Sequence, residues 1–476
     1  MSGFIVGADR SQTTLFPEAL DDYVAEESAV RVIDVFVDEL DLMTLGFKTE
    51  PADTGRPGYH PEVMLKLFIY GYLNRVSTGR GLEKEAQRNV EVMWLTGRLA
   101  PDFKTIADFR RDNGAAIQKV CRQFVVLCRR LKLFSEAFVA IDGSKFKALN
   151  NRDRNFTKAK MQRRYQQIDE SIARYLMQME SLDRQASALA EDKSQRLSEK
   201  IEALKQEIEK LKKHEAAMLA APDQQLSLTD PDCRSMNTRG TGVVGYNVQM
   251  AVDTAHHLIV AHEVTNQGSD RGQLRHMSER AGKAIAADTI EAVADRGYFS
   301  NDEIKACEEA DITTYLPKPK TSNKRTQGYY SKDDFIYREP DDEYECPAGE
   351  RLVKHSETTQ NGLTIHKYST SVCGRCALKA HCTPGDGRRV SRWEHEAFIE
   401  RLQQRLDENP EMMRVRRQTV EHPFGTIKHW AGPQHFKMKT LKHVSTEMSL
   451  HVLAYNLKRL MSLFGVSGLI NAMQAA

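Results

Sequence analysis

The sequence predicts an α/β fold in which a mixed sheet core follows an all-α N-terminal domain and is interrupted by two insertions. Three observations predict it. Apolar residues recur at helical spacing through residues 1–135, whereas residues 239–317 contain alternating, β-branched strand patterns separated by helical segments. Thirdly, the sheet pattern is broken by a heptad-patterned tract at 158–220 and by a cysteine-containing segment at 318–395.

Length and charge limit the class of protein. The chain has 476 residues, more than one ordinary domain, and a net charge of only +2. The charge is uneven, because residues 411–458 hold eight Lys or Arg and five His against three Glu, which favours a polyanionic partner. No run of eighteen apolar residues and no signal-peptide pattern is found, so we expect a cytoplasmic protein. Its eight cysteines are then expected as reduced thiols or metal ligands.

The N-terminal 135 residues are predicted to be helical. Residues 27–40 place apolar side chains at helical spacing, and Pro61 lies at the start of a strongly apolar helix. Cations lie near the predicted helix ends, Arg110 and Arg111 among them. They fit a DNA-binding helical domain, and they equally fit an ordinary bundle with snorkelling Lys and Arg side chains.

Two heptad patterns follow, at residues 168–189 and 197–211, with a break in phase at 190–195. This pattern predicts a helical hairpin, and one continuous helix with a stutter is the alternative. The hairpin could be a solvated arm packed only on itself, or an arm for dimerisation or for guiding DNA, since heptad seams often pair between chains.

Two acidic residues follow short apolar runs. Asp142 comes after residues 138–141 and Asp295 after residues 290–294, each within two residues of a glycine. This is how a buried strand delivers a carboxylate to the edge of a sheet, where the sites of open α/β sheets collect. A helix cap or turn residue is the alternative for each.

A third acidic residue lies in the predicted helix 414–430. Arg414, Arg417, Glu421 and Lys428 are separated by three, four and seven residues, so they share one face of that helix. The carboxylate is suited to a divalent metal ion and the cations to a phosphate. A solvated, salt-bridged helix face would produce the same pattern.

The later cysteines are arranged as C-x26-C-x2-C-x5-C, formed by Cys346, Cys373, Cys376 and Cys382. Four thiols that include one C-x2-C pair indicate a tetrahedral, structural zinc site. The first cysteine stands alone, so scattered reduced thiols or a redox-active pair remain alternatives.

Together these motifs resemble those of bacterial insertion-sequence transposases of the DDE class. The resemblance rests on Asp142 in IDGS, Asp295 in ADRGYF and Glu421 in RQTVEHPFGTIK, and it extends from about Phe36 to Leu463. Many members carry a Tyr-Arg-Glu-Lys signature with two, three and six intervening residues.

The Arg-Glu-Lys part of that signature is present at Arg417, Glu421 and Lys428. Arg414 stands at the tyrosine position, where this chain departs from the family pattern.

The resemblance implies a ribonuclease-H-like core with interruptions. Its expected parts are a DNA-binding N-terminal domain at 1–135, core segments at 136–157, 221–317 and 396–476, a helical-hairpin (coiled-coil) insertion at 158–220 and a Cys-rich insertion at 318–395.

The resemblance also implies a function. Two Mg²⁺ or Mn²⁺ ions held by the three acids would support cleavage at the ends of the element, and the freed 3′-hydroxyl would then attack target DNA. The expected partners are the terminal inverted repeats, the target duplex and at least one further copy of the chain, within the nucleoid. The candidate DNA contacts are Arg414, Arg417, Lys428, Arg296, Lys145, Arg110 and Arg111.

Two other functions remain open from the sequence. One is a metal-dependent nuclease that has the same core and performs no strand transfer. The other is a domesticated transposase derivative that only binds DNA. The retained acidic trio argues against the second, and a strand-transfer assay separates the first.

Overall fold

The computed structural model describes residues 19–50, 57–134, 136–183, 188–237, 242–319, 325–431 and 435–475. The chain forms two compact units. The first unit comprises residues 1–136, 142–268 and 419–476, and the second comprises 137–141 and 269–418. Both units contain helices and strands, so the predicted α/β class is confirmed.

The first unit begins with helices packed around a shared apolar core, as the sequence predicted. Helix α3 starts with a proline at its first turn, where a missing N–H is harmless, and its residues 64–72 are buried on every side. The helices are α1 (Ala29–Asp38), α2 (Leu42–Leu45), α3 (Pro61–Leu73), α4 (Gly79–Arg88), α5 (Val90–Thr96), α6 (Phe103–Asp112) and α7 (Gly114–Arg130).

Strand β1 (Phe138–Lys147) contributes its first half to the second unit and its second half to the first. Asp142 therefore lies in the middle of a strand, whereas the sequence analysis placed it at a strand end. The strand continues because alternate side chains beyond Asp142 still pack, with Phe146 buried.

Two long helices follow β2 (Asn155–Thr157), namely α8 (Lys158–Asp183) and α9 (Ala188–Ala220), and β3 (Gln225–Ser227) pairs antiparallel with β2. The helices pack through a small apolar cluster and an Arg164–Glu207 ion pair of 2.7 Å. Two helices were predicted and are observed. However, α9 already begins at Ala188, so 190–195 lies inside a helix, and Ala186 of the predicted seam falls outside the described residues.

The first unit's sheet continues with β4 (Arg234–Met236), β5 (Val243–Asp253) and β6 (Ile259–Thr265), which pair antiparallel in that order. Strand β5 also lies beside β1. The approach is so close that a Cβ at Gly245 would stand 1.9 Å from the Phe146 carbonyl oxygen, which explains the glycine. Strands β5 and β6 form an antiparallel hairpin within the region where the sequence predicted strands.

In the second unit the chain alternates helix and strand, as predicted. The elements are α10 (Leu274–Ile285), β7 (Ile290–Val293), α11 (Asn301–Glu308) and β8 (Ile312–Tyr315). Strand β7 pairs in parallel with the first half of β1 and with β8. Parallel pairing brings the carboxyl ends of these strands to one edge, and Asp295 follows β7 there.

A separate five-stranded antiparallel sheet occupies much of residues 336–393, in the order β13-β12-β11-β10-β9. Its elements are β9 (Ile336–Arg338), β10 (Glu343–Glu345), β11 (Arg351–Gln360), β12 (Leu363–Ser369), helix α12 (Lys379–Cys382) and β13 (Arg389–Trp393). Sequence analysis did not predict this sheet. Its longest strand, β11, exposes most of its side chains and so lacks an apolar alternation.

The remaining helices are α13 (Glu396–Glu408), α14 (Met412–Ala431), α15 (Leu441–Phe464) and α16 (Val466–Gln474). Helix α15 is buried along most of its length, and its Leu450, Leu453, Leu457 and Leu460 belong to the core of the N-terminal helices. None of the described helices is both long and apolar enough to cross a membrane.

Candidate active site

The first acidic candidate lies on a strand face that is now defined. Side chains alternate along a strand, so Asp142, Ser144 and Phe146 of β1 point to the same side. Asp142 is half-buried, and its Oδ1 accepts a hydrogen bond of 2.9 Å from the backbone N–H of Gly143. This bond orients the carboxylate relative to the strand.

Lys428 of helix α14 contacts that same strand face. Its Nζ donates a hydrogen bond of 2.6 Å to Ser144 Oγ and lies 5.2 Å from the centre of the Phe146 ring. Loss of hydration around the ammonium lowers the pKa of Lys428, the negative charge of Asp142 partly restores it, and Lys145 lowers it further. The lysine charge is thus held within electrostatic reach of Asp142.

The face of α14 that meets β1 also carries the third acid. Phe424 packs against Phe146, with ring centres 6.4 Å apart. Glu421, Phe424 and Lys428 are spaced by three and four residues and share one face of the helix. Glu421 is exposed on this face, one turn before the Phe424 contact. The first unit therefore brings Asp142 and the Glu421 helix together.

Helix α14 runs uninterrupted past Pro423, as the predicted helix 414–430 requires. A proline at this position leaves the carbonyl of Thr419 without its helical N–H partner. The ring of His257 hydrogen-bonds to that backbone instead. Burial lowers the pKa of His257, as do the nearby Arg459 and His422, while the Thr419 bond raises it.

The second unit holds the remaining acid, at the end of β7. Asp295 Oδ1 accepts a hydrogen bond of 2.7 Å from Gly297 N–H, which makes the residue the cap of a short 3₁₀ turn. Its Oδ2 lies 3.8 Å from an Nη atom of Arg416. The alternative role as a cap is thus realised, and it leaves the side chain 41% exposed.

The cationic candidates fall into two groups. Arg296, Arg414 and Arg417 are exposed, so their charges are accessible to a phosphate. Arg110 is only 8% exposed and donates hydrogen bonds to Tyr72 Oη and the Ser77 carbonyl. A buried guanidinium cannot reach DNA, so the prediction of a DNA contact at Arg110 is wrong.

Arg111, the neighbour of Arg110 in sequence, is exposed and already paired. Its guanidinium contacts Asp108 at 2.6 Å and Asp112 at 2.7 Å. The two carboxylates offset its charge locally.

The four late cysteines lie around one cavity of about 30 Å³ in the second unit. Burial raises the pKa of the Cys382 thiol, Arg388 lowers it, and the other three thiols raise it again. Within the described ranges, however, no three His, Cys, Asp or Glu side chains converge closely enough to hold a metal ion. The thiols therefore surround the cavity without meeting at one point.

Sequence analysis missed three residues around these sites. Ser144 receives Lys428, Arg416 rather than Arg414 or Arg417 contacts Asp295, and Arg388 lines the thiol cavity. Alternation along β1 was the one available signal, because it places Ser144 beside Asp142. The contacts of Arg416 and Arg388 depend on tertiary packing.

Two family models and one solved structure are similar to this chain. A family model described as a transposase domain (DUF772) matches residues 18–112, and one described as a transposase DDE domain matches residues 220–457, half of the chain. The cryo-EM structure of a piggyBac transposase synaptic complex with hairpin DNA is similar at 8% identity and a TM-score of 0.34, over 94% of this chain and 79% of that one. No curated protein matches. The chain belongs to the DDE transposases of insertion sequences.

Proposed function

We propose that this DNA transposase cleaves phosphodiester bonds at the ends of its element in a metal-dependent reaction and joins the freed 3′-hydroxyl to target DNA. The observation that carries the proposal is the contact between Lys428 and the Asp142 face of β1. Lys428 lies on the helix that also carries Glu421 and within electrostatic reach of Asp142, so it would bind a phosphate next to this carboxylate.

The proposal includes a ribonuclease-H-like core. Its support is the order of elements along the chain, in which β1 is followed by the β5–β6 hairpin, then α10, β7, α11 and β8. The hairpin α8–α9 and the five-stranded sheet then interrupt that core as insertions.

Asp142, Asp295 and Glu421 are proposed as the metal ligands. Carboxylate oxygens are the donors that Mg²⁺ and Mn²⁺ prefer, so the donor set fits these ions. Bound as a pair, such ions activate the attacking oxygen and stabilise the leaving oxygen. The backbone N–H of Gly143 donates a hydrogen bond to Asp142, and that of Gly297 donates one to Asp295. These bonds orient the two carboxylates before any ion binds.

The cations are proposed to bind the DNA backbone. Lys428, positioned by Ser144, would hold a phosphate close to Asp142, and the exposed Arg296, Arg414 and Arg417 would contact neighbouring phosphates. An element has two ends, so we propose that at least two copies act together on cytoplasmic DNA.

The test uses duplexes taken from the DNA that flanks the gene, with cleavage and binding measured separately. Asp142→Asn, Asp295→Asn and Glu421→Gln should each abolish Mg²⁺-dependent cleavage and leave binding largely intact, because the phosphate contacts remain. Glu411→Gln removes an exposed carboxylate just before the same helix and is the control. Near-normal cleavage by any of the three variants would remove that residue from the site.

Lys428→Ala belongs to the same experiment. It should weaken binding and reduce the salt dependence by about one counterion. An unchanged salt slope would show that Lys428 does not contact DNA.

Pre-cleaved ends offered with a target plasmid distinguish a transposase from a plain nuclease, since a plain nuclease would produce no joined product.

A further inference from the structure

The cavity lined by Cys346, Cys373, Cys376 and Cys382 has a feature that thiols alone do not explain. Arg388 lines the same cavity and is only 5% exposed. Its Nε and Nη1 are buried and find no hydrogen-bond acceptor among the described residues. Its guanidinium lies 5.0 Å from the centre of the Phe335 ring and is close enough to Cys382 to lower the pKa of that thiol.

An arginine side chain keeps its charge in proteins, and a buried charge without a partner is strongly unfavourable. Neutral thiols carry no charge that could balance it. Four thiolates on one Zn²⁺ carry a net charge of about −2, and their sulfur atoms accept N–H hydrogen bonds. The unpaired cation therefore indicates an anionic group in this cavity.

We propose that Cys346, Cys373, Cys376 and Cys382 bind one Zn²⁺ as a tetrathiolate and that Arg388 is its counter-cation, donating N–H groups to the sulfurs. Binding replaces four S–H protons by four Zn–S bonds and releases the four protons to solvent, with no change in oxidation state. Thiolate ligands and a closed four-coordinate shell select zinc over harder ions such as Mg²⁺.

The backbone holds the four thiols near their ligand positions. Cys346 lies in a tight turn closed by its hydrogen bonds with Gly349 and Glu350, of 2.8 and 2.9 Å. Cys373 and Cys376 belong to a single 3₁₀ turn and its cap, and Cys382 ends α12. A cavity of about 30 Å³ exceeds the roughly 10–15 Å³ that holds one water molecule, so an ion fits once the thiols move inward.

Bound zinc would link the end of β10 to the segment 371–382. Without zinc, few apolar side chains hold these parts together, because the apolar core of this sheet contains only five buried residues among those described. The zinc site would thus hold the five-stranded sheet to the loop that follows β12. This role is independent of the proposed cleavage chemistry.

The first test measures metal in the purified full-length chain. We expect about one zinc per chain, with four thiols protected from a thiol reagent until a chelator is added. Cys373→Ser and Cys376→Ser should lose the metal. Cys307→Ala is the control, because Cys307 is buried in the same unit but does not line the cavity. A chain that binds no zinc after purification or addition, with all four thiols reactive, would overturn the proposal.

A second test addresses misfolding of the serine variants. Cys376→His keeps a ligand, so Co²⁺ bound in place of zinc should show a tetrahedral spectrum shifted from four sulfur ligands to three sulfurs and one nitrogen. An unshifted Co²⁺ spectrum would exclude Cys376 as a ligand.

The role of Arg388 is tested by zinc affinity, measured by competition with a chromophoric chelator. Arg388→Met should weaken binding about 10- to 100-fold, the range for lost outer-shell partners, and Arg388→Lys should restore part of it. Arg389→Met is the matched control, because Arg389 is the next residue and is exposed. Equal affinity in Arg388→Met and the wild type would overturn the counter-cation role.

Discussion

Two of the buried arginines, Arg110 in the first unit and Arg388 in the second, differ in how their charge is balanced. Arg110 is 8% exposed and lies over Phe68, and Arg388 is 5% exposed and lies over Phe335. The charge of Arg110 is nevertheless balanced. Its Nη1 donates to Tyr72 and Ser77, and the buried carboxylate of Glu447 raises its pKa. In the part of the chain that the structure describes, Nε and Nη1 of Arg388 have no hydrogen-bond partner.

The contrast separates a structural charge from a charge that needs a ligand. Glu447 accepts hydrogen bonds from the backbone N–H groups of Lys437 and Met438, and it is close enough to Arg110 to raise its pKa, so the protein itself supplies an anion near this cation. That network ties α6 to α15 within the first unit. Among the described residues no carboxylate pairs with Arg388, which is why we assign it to a metal centre.

Breaking the Arg110 network should have the largest effect on stability. Arg110→Met removes the hydrogen bonds to Tyr72 and Ser77 and the cation that lowers the pKa of the buried Glu447 carboxyl, so we expect a loss of up to about 3–5 kcal/mol. Guanidinium unfolding followed by tryptophan fluorescence measures it. Arg111→Met is the control, because its ion pairs are exposed to solvent and should contribute little to stability. Equal losses in both variants would contradict the network.

The same network should respond to acid. Burial lowers the pKa of His451 to about 3, with help from Lys437 and Arg110, and its ring packs on Tyr72. The folded state therefore holds this ring neutral, while the unfolded chain protonates it below the ordinary histidine pKa of 6.5. The stability from His451 is complete above pH 6.5 and falls by about 1.4 kcal/mol per pH unit below it.

His451→Gln removes this titration and is the comparison for that prediction. Between pH 7 and 5 the free energy of unfolding should fall less in the variant than in the wild type. The difference should be about 1.4 kcal/mol for each pH unit below 6.5. Parallel pH profiles would show that His451 does not contribute.

The smallest effect on the free energy of unfolding is expected from replacing Arg388 in metal-free protein. With no anion present, Arg388→Met removes an unbalanced charge and keeps an apolar stem, so stability should change by less than about 1 kcal/mol or increase. In zinc-loaded protein the same change should lower the thermal midpoint. A loss in the metal-free protein as large as that of Arg110→Met would mean that Arg388 has a partner within the chain.

Several elements were predictable from the sequence because their signals are local. The helix 414–430 is one, since the spacing of Glu421, Phe424 and Lys428 fixes a face regardless of context. Asp295 after β7 is another, since a short apolar run and a glycine define the strand end. The four cysteines that the sequence grouped around the C-x2-C pair also line one cavity in the structure.

Other features depend on partners that are remote in sequence. Arg110 is buried against Tyr72 and Ser77 and near Glu447, which is more than 300 residues later, so its helix alone did not indicate the burial. The extension of β1 past Asp142 requires β5, whose Gly245 admits the close approach. The five-stranded sheet has exposed polar strands such as β11, and backbone hydrogen bonds between strands leave no pattern in the residues.

The burial of α15 among the N-terminal helices has a consequence during synthesis. Leu441 lies 311 residues after Arg130, the end of α7, yet the two helices pack together. At about 5–20 residues per second, a ribosome needs roughly 15–60 seconds to make the intervening chain. Throughout that time the surface of α3 and α7 that α15 covers is exposed to solvent. We therefore expect a chaperone to bind the nascent chain. The domain matched at residues 18–112 is consequently expected to aggregate when expressed without α15.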